Sequence, residues 1–401
     1  MREVMRQTFD ELWILDLGGD NLGARKTPNV FAIQIPVAIA MGVRGKVSSP
    51  GTPAKVWYAK IEGSTRDEKL TKIAAIDDLS KIDWKACPDD WHAPFLPKGK
   101  GAYFEWPKVT DLFPYHTAGA VFYRAWPIGE TREVLTARWE NLKGTALAGR
   151  GKLFKESRDR KLRYVVNNPD LPGYGEPAIN AVKGSSKDPL CVPYGFRSFD
   201  QQYAFYDFRL GDFIRPSLNR VRGEKQIYLV CPDSLVCGLG PIIGASSNIP
   251  DQHFFRGSFG GKDVIPLYRD AAGTEPNVTA GLLAALGKEH GSAPSAEDLA
   301  AYVYALLGGQ SYTKRFWNEL ETPGPRVPMT KDGATFADAV KLGRKLIWLH
   351  TYAARFQGQT QGDEVPNGMA TTIKGVSSAP AHYPAEHAYD PAKREITVGD
   401  G

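Results

Sequence analysis

Long apolar runs, paired cysteines and hydrolytic motifs are all missing from this 401-residue chain. No stretch approaches the roughly 18 uninterrupted apolar residues that a membrane span needs. The start, MREVMRQTFDELW, lacks the apolar core of a secretory signal, so a cytoplasmic protein is expected. The four cysteines, Cys87, Cys191, Cys231 and Cys237, form no C-x-x-C pair and have no histidine at zinc-finger spacing; they read as reduced, structural thiols. There is no G-x-S-x-G elbow and no H-E-x-x-H helix, and the seven histidines stand one by one. Of these, His116 and His253 lie in aromatic loops, while His382 and His387 fall in a polar tail. The glycine clusters DLGGDNLG, GRGK, GLGPIIG and GSFGGKD do not complete a phosphate-binding loop. In GGKD both the hydroxyl residue after Lys and the first glycine at the required distance are absent. Turn glycines are expected there. No catalytic residue, cofactor site or metal site is assigned within the chain.

What the chain does contain is a normal globular composition, 42% hydrophobic and 24% charged, with its positive charge concentrated in one place. From Lys143 to Arg163, KGTALAGRGKLFKESRDRKLR sets eight basic residues against Glu156 and Asp159. That segment alone carries more than the chain's net charge of +5. Such a concentration is the footprint of a polyanion binder, although a solvated basic helix reads the same way. A second unusual stretch, PYGFRSFDQQYAFYDFRLGDFIRPSLNRVRG over residues 193–223, puts rings beside guanidinium groups with almost no aliphatic filler. Rings and forked cations together suit a surface that holds bases and phosphates. The competing reading is a ladder of aromatic strands whose arginines pair with Asp200, Asp207 and Asp212, with Phe199 and Tyr206 in the core and Asp200 anchoring Arg197.

Along the chain, the spacing predicts a helix in residues 1–10, then the apolar strands ELWILDLGG, VFAIQIPVAIAMGV and AKVWYAKI. Two continuous apolar strands imply burial on both faces. One helix cannot cover such a sheet, so residues 1–65 read as the last part of a larger α/β domain. A helix is expected at STRDEKLTKIAAI and mainly helix over 130–163, followed by short aromatic strands and turns over 191–270. Three helical segments follow within 271–356, the last two opening on Ser or Thr caps. Residues 357–401 should be loose apart from a strand at REITV.

The order of four segments resembles the C-terminal specificity region of type ISP restriction-modification enzymes and related adenine-specific DNA methyltransferases. ILDLGGDNLGARKTPNVFAIQIPVAI is similar to that family's final methyltransferase strands, with Pro36 where Gly is common. HTAGAVFYRAW keeps Gly119 and Arg124 of the family's S-G-x-x-T-x-R-D segment but has Phe122 and Ala125 in place of Thr and Asp. The 193–223 stretch retains Tyr194, Arg197, Phe199, Asp200, Tyr203, Tyr206, Asp207, Arg215 and Pro216 of the family's aromatic-arginine block. YVYALLGGQSYTKRFWNELETPGPRVPMT resembles the helical signature that follows it. The likeness runs over residues 8–335. It implies an α+β protein: a remnant of a methyltransferase-type α/β sheet (1–65), a mixed α/β target-recognition domain (66–270), a helical subdomain (271–356) and a loose tail.

The resemblance further implies double-stranded DNA as partner. The expected contacts are Arg124, Arg150, Lys152, Lys155, Arg158, Arg160, Lys161, Arg197, Arg215, Arg220, Arg222 and Lys225. The family's S-adenosylmethionine loop and its NPPY-type tetrad are not in the sequence; NNPDLPGY at 167–174 has no adjacent prolines. The cofactor and the methyltransferase portion, with or without helicase and nuclease portions, are therefore expected on another chain or a truncated N-terminal region, and this chain alone is expected to be inactive. The alternative is an interaction subunit that docks on a methyltransferase core through the sheet edge of residues 11–62 and touches DNA little.

Overall fold

A computed structural model describes residues 1–21, 26–45, 51–232, 238–255 and 263–356, and in the tail 387–390, 392 and 395–398. Cys237, His382 and most of GSFGGKD lie outside them. The chain divides into two units, Met1–Gln357 and Gly358–Gly401.

The first unit opens with helix α1 (Arg2–Thr8), strands β1 (Glu11–Gly18), β2 (Val37–Val43) and β3 (Lys55–Lys60), helix α2 (Arg66–Ala74) and the short β4 (Lys85–Ala86). They form a sheet in the order β2-β1-β3-β4, with β3 parallel to β1 and β2 and β4 antiparallel to their neighbours. Strand β1 is covered on both faces, by Ala54 and Val56 beside Leu12 and Ile14, and by Val30 and Ala59 beside Leu15 and Leu17. Two buried cations hold the chain around it. Arg6 donates to the carbonyls of Ala54 (3.1 Å) and Pro88 (2.9 Å), and Lys69 of α2 donates to Leu17 (2.7 Å) and Pro28 (2.8 Å). In DLGGDN the glycines serve a turn: Gly19 has φ +97°, and a Cβ there would lie 2.4 Å from the Asn29 amide.

Strand β2 corrects an expectation. Its apolar composition implied burial on both faces, yet it is the edge of the sheet and Ile39 and Val43 are exposed, as are Phe31, Ile33 and Ile35 leading into it. Composition reports how apolar a strand is, not whether anything covers it.

The middle of the unit contains α3 (Val109–Leu112), β5 (Ile128–Gly129), α4 (Arg132–Gly144), α5 (Leu147–Phe154), β6 (Cys191–Arg197), β7 (Asp200–Phe205) and α6 (Pro216–Arg220). After these come β8 (Tyr228–Cys231), β9 (Gly244–Ser246), β10 (Ile249–Pro250) and β11 (Asp263–Pro266). Two sheets result, β10-β6-β7-β5 and β11-β8-β9. Helix α4 buries Leu135, Trp139 and Leu142 against Phe154, Phe205 and Leu210. The helical stretch expected over 130–163 stops at Phe154, where Lys155 turns left-handed at φ +52°.

Four helices close the unit: α7 (Leu282–His290), α8 (Ala296–Leu307), α9 (Gln310–Arg315) and α10 (Gly333–His350). Their apolar faces join Leu229, Cys231 and Ile265 in one core, so helices and sheet are a continuous packed body. Ser295 and Asp298 form a capping box on α8. The expected Thr cap of α10 is instead Asp332, which accepts from the N–H groups of Ala334 and Thr335. Thr335 therefore lies inside the first turn. At the α8–α10 crossing Gly343 sits on the Ala301 carbonyl, and a Cβ would come within 1.8 Å of it. Among the described residues the second unit has one hairpin, β12 (His387–Asp390) with β13 (Glu395–Val398), the latter within the predicted strand.

Candidate nucleic-acid interface

Much of the basic segment turns inward. Arg150 is buried and donates to the carbonyls of Thr145 (3.0 Å), Ile179 (2.9 Å) and Lys143 (3.3 Å). Arg160 is buried too, with Nε on Gly211 (2.9 Å) and an Nη on Asp212 (2.7 Å), both carbonyls. Lys143 bridges Glu140 and Asp188, contacts that raise its pKa with the Glu140 hydrogen bond first. Arg158 is exposed but forks onto Asp159 (2.9 Å), and Lys161 stands 3.6 Å from Glu156. Lys152, Lys155 and Arg163 remain exposed without an ion pair among the described residues. Backbone carbonyls make the difference, since they accept from Arg without contributing a charge that composition could show.

Arg124 is the third of the predicted contacts to turn inward. Its guanidinium donates to the carbonyls of Phe154 (3.3 Å) and Leu210 and lies 4.1 Å over the Phe154 ring. Burial lowers its pKa below the usual arginine value. Arg124, Arg150 and Arg160, three of the expected DNA contacts, thus turn into the interior. They hold the scaffold, because water could not replace the carbonyl partners at these depths.

What the interior arginines support is a cleft of about 970 Å³ lined by Tyr123, Trp126, Arg138, Lys155, Ser157 and Arg158. Its two walls, the 122–126 and 155–160 loops, meet on fully buried Asp212. One carboxylate oxygen accepts from the Tyr123 N–H at 2.9 Å and the other from the Ser157 hydroxyl. Arg138, on α4, donates to the carbonyls of Trp126 (3.1 Å) and Ile128 and closes the floor. Tyr123, 53% exposed, meets Phe213 edge-on at 6.3 Å, and Arg215 lies 5.6 Å over Phe213. A ridge of rings therefore leads from the cleft to Arg215, the left-handed residue (φ +49°) that precedes α6. Arg220, the last residue of α6, and Arg222 and Lys225 just beyond it are exposed, and no ion pair joins them to a described residue.

The remaining aromatic-arginine stretch divides between core and surface. Tyr194 and Tyr206 are fully buried, so Tyr206 is core as expected. Burial first, and then Asp251, pushes the Tyr194 hydroxyl well above the usual tyrosine pKa. Arg209, only 1% exposed, forks onto Asp207 at 2.6 Å, the one pairing of the expected three that forms as an ion pair. Arg197 corrects another expectation: its partner is Asp251 at 3.3 Å rather than Asp200, whose carboxylate accepts from Gln202. Phe199, expected in the core, is 61% exposed. NNPDLPGY forms a loop against the turn that follows β7, where Gly173 (φ +92°) leaves room for Asp207 and the Phe208 N–H donates to the Pro172 carbonyl.

Tyr123, Arg138 and Phe213 were not predicted as site residues. Tyr123 adjoins Arg124 in a segment that carries the resemblance, but nothing in the sequence distinguishes an exposed ring from a buried one. Of the histidines singled out, His116 lies 2.6 Å from Asp263, and His253 shares Asp251 with Arg197 and Tyr194. Among the described residues no group of three His, Cys, Asp or Glu could hold a metal, and no helix is long and apolar enough to cross a membrane. Cys87, Cys191 and Cys231 are free thiols, and burial lifts Cys87 to a pKa of about 11.

This mixed α/β architecture is shared with restriction-modification enzymes. Residues 111–400 match the Type ISP C-terminal specificity domain, and the chain belongs to that family. Three solved structures share its fold. One is a DrdV–DNA complex determined by cryoEM, with a TM-score of 0.55 and 20% identity over 88% of this chain and 36% of that one. The second is the ATP-dependent Type ISP restriction-modification enzyme LlaBIII bound to DNA, at 0.56 and 18% over 90% and 24%. The third is a nuclease-deletion mutant of the Type ISP enzyme LlaGI in complex with a DNA substrate mimic, at 0.55 and 18% over 100% and 37%. The chain thus spans between about a quarter and somewhat over a third of these proteins' lengths. No curated protein matches it.

Proposed function

We propose that this chain is the sequence-reading module of a type ISP-like restriction-modification adenine methyltransferase, with S-adenosylmethionine and the machinery of methyl transfer held elsewhere. The observation that carries the reading is the surface left after the interior arginines are discounted. Lys155 lines the cleft beside Tyr123, Lys152 is exposed on α5 just before it, and Arg220, Arg222 and Lys225 follow Arg215 in the chain at the end of the ridge formed by Tyr123, Phe213 and Arg215. Cations without ion-pair partners suit phosphates, which fix register, while rings and a half-buried Arg suit base edges. The related structures were determined with DNA or a DNA mimic bound, which supports the same reading. Selection of duplexes from a randomised pool tests it. Enrichment of one shared sequence is expected; an unchanged pool contradicts it.

A second reading draws on the exposed apolar edge of β2. Ile39 and Val43 give a partner chain both a free strand edge and apolar surface. In that reading the chain docks on a methyltransferase core and contributes little DNA contact. Co-purification with such a core, by a chain that ignores duplex DNA, favours it over the first.

A further inference from the structure

One exposed phenylalanine is ordinary on any protein surface. Phe199 differs in three respects. First, it occupies the tip of the β6–β7 hairpin with φ +60°, a left-handed conformation that disfavours bulky side chains and that Gly or Asn would fill readily. Second, the strained tip is clamped. The Tyr352 hydroxyl donates to the Phe199 carbonyl, the His350 ring meets the Phe199 ring edge-on at 4.8 Å, and the Ser198 N–H donates to the Phe254 carbonyl at 2.7 Å. Third, the clamp joins the tip to the basic turn after α6. Three residues beyond Tyr352, Arg355 donates to the carbonyls of Gly223 (3.2 Å) and Gln226 (2.7 Å), bracketing Lys225 and adjoining Arg222. Tyr352 and Ala353 are themselves left-handed, at φ +54° and +59°. The end of α10 is thus shaped to hold a ring and a cluster of cations in one frame.

On this basis we propose that Phe199 is a wedge that enters the base stack of bound duplex DNA, with Tyr352 as its positioning residue. The proposal rests on the DNA-reading function above and deepens it. The Arg222 and Lys225 side chains hold the backbone beside the hairpin, and Arg197, at the base of the hairpin turn, is braced 3.9 Å over Phe196 and paired with Asp251. A ring between two base pairs unstacks one step and kinks the duplex, as apolar wedges do in architectural DNA-binding proteins. Clamping keeps the ring presented before DNA arrives, so little ordering remains to be done on binding.

A step that is already weakened should accept the wedge more readily. The test compares a matched duplex of about 30 base pairs with the same duplex carrying one central mismatch and 2-aminopurine beside it. The full chain is expected to bind the mismatched duplex about tenfold more tightly and to raise the 2-aminopurine emission. Phe199→Ala should lose both effects yet retain salt-dependent binding of the matched duplex; Phe199→Trp should restore them. Tyr352→Phe, which keeps the Phe199 ring but removes the hydroxyl that holds its carbonyl, should show an intermediate preference. Equal preference and emission in the wild type and Phe199→Ala, with salt-dependent binding in both, would overturn the wedge alone. If the wild type does not bind the matched duplex in a salt-dependent way, the DNA-reading function itself fails and the wedge fails with it.

Discussion

Asp212, with no exposed surface, accepts a hydrogen bond from the backbone N–H of Tyr123 at 2.9 Å, and its other oxygen takes the hydroxyl of Ser157. One buried carboxylate thereby sets the spacing of the two loops that wall the cleft. Asp212→Ala leaves the Tyr123 N–H without its acceptor, at a cost of about 2–4 kcal/mol for two lost partners in a dry site. Urea unfolding measures this directly, and affinity for DNA should fall with it.

Arg124 and Lys155 border the same cleft but should behave oppositely. Removing Arg124 abandons two interior carbonyls and its stack on Phe154, so Arg124→Ala should lower the melting temperature while the salt slope of DNA binding in the folded fraction stays constant. Lys155→Ala should leave melting unchanged and reduce the slope by about one. Calorimetry with binding isotherms at several salt concentrations separates the two.

The helix crossing offers a test of packing. Gly343→Ala places a methyl group against the Ala301 carbonyl, where the space is 1.8 Å. Helices α8 and α10 must separate, and overpacking of this kind costs about 1–3 kcal/mol. An unchanged denaturation midpoint would contradict the close approach.

Burial lowers the pKa of His350, whose Nδ1 lies 2.6 Å from the Tyr304 hydroxyl. As the pH falls, the unfolded chain therefore binds the proton first. This contribution to stability is complete above the unfolded value of about 6.5 and is lost as the pH falls through the lower folded value. Unfolding free energies between pH 7.5 and 5 should decline for the wild type, with a shallower decline for His350→Gln.

Some of this structure was legible in the sequence and some was not, for physical reasons. Thr65 before α2 and the Ser295–Asp298 box on α8 carry their capping chemistry within four residues, so both helices could be read. The four segments of the specificity region also keep their order. By contrast, Arg124 finds its carbonyls 30 and 86 residues away, and no local pattern announces that. Strand β2 looks buried because it is apolar, and Phe199 looks buried because it is a ring; exposure belongs to the assembled fold. Charge counting erred in the same way, since five of the eight cations between Lys143 and Arg163 are paired or interior.

The salt dependence of duplex binding tests the central claim most directly. Lys152, Lys155, Arg163, Arg220, Arg222 and Lys225 are exposed and form no ion pair among the described residues, and six neutralised phosphates correspond to a slope of log K against log salt of about −5. Replacing Arg220, Arg222 and Lys225 with alanine should bring the slope to about −3. Binding that ignores salt, or a slope unchanged by the triple replacement, would contradict the account.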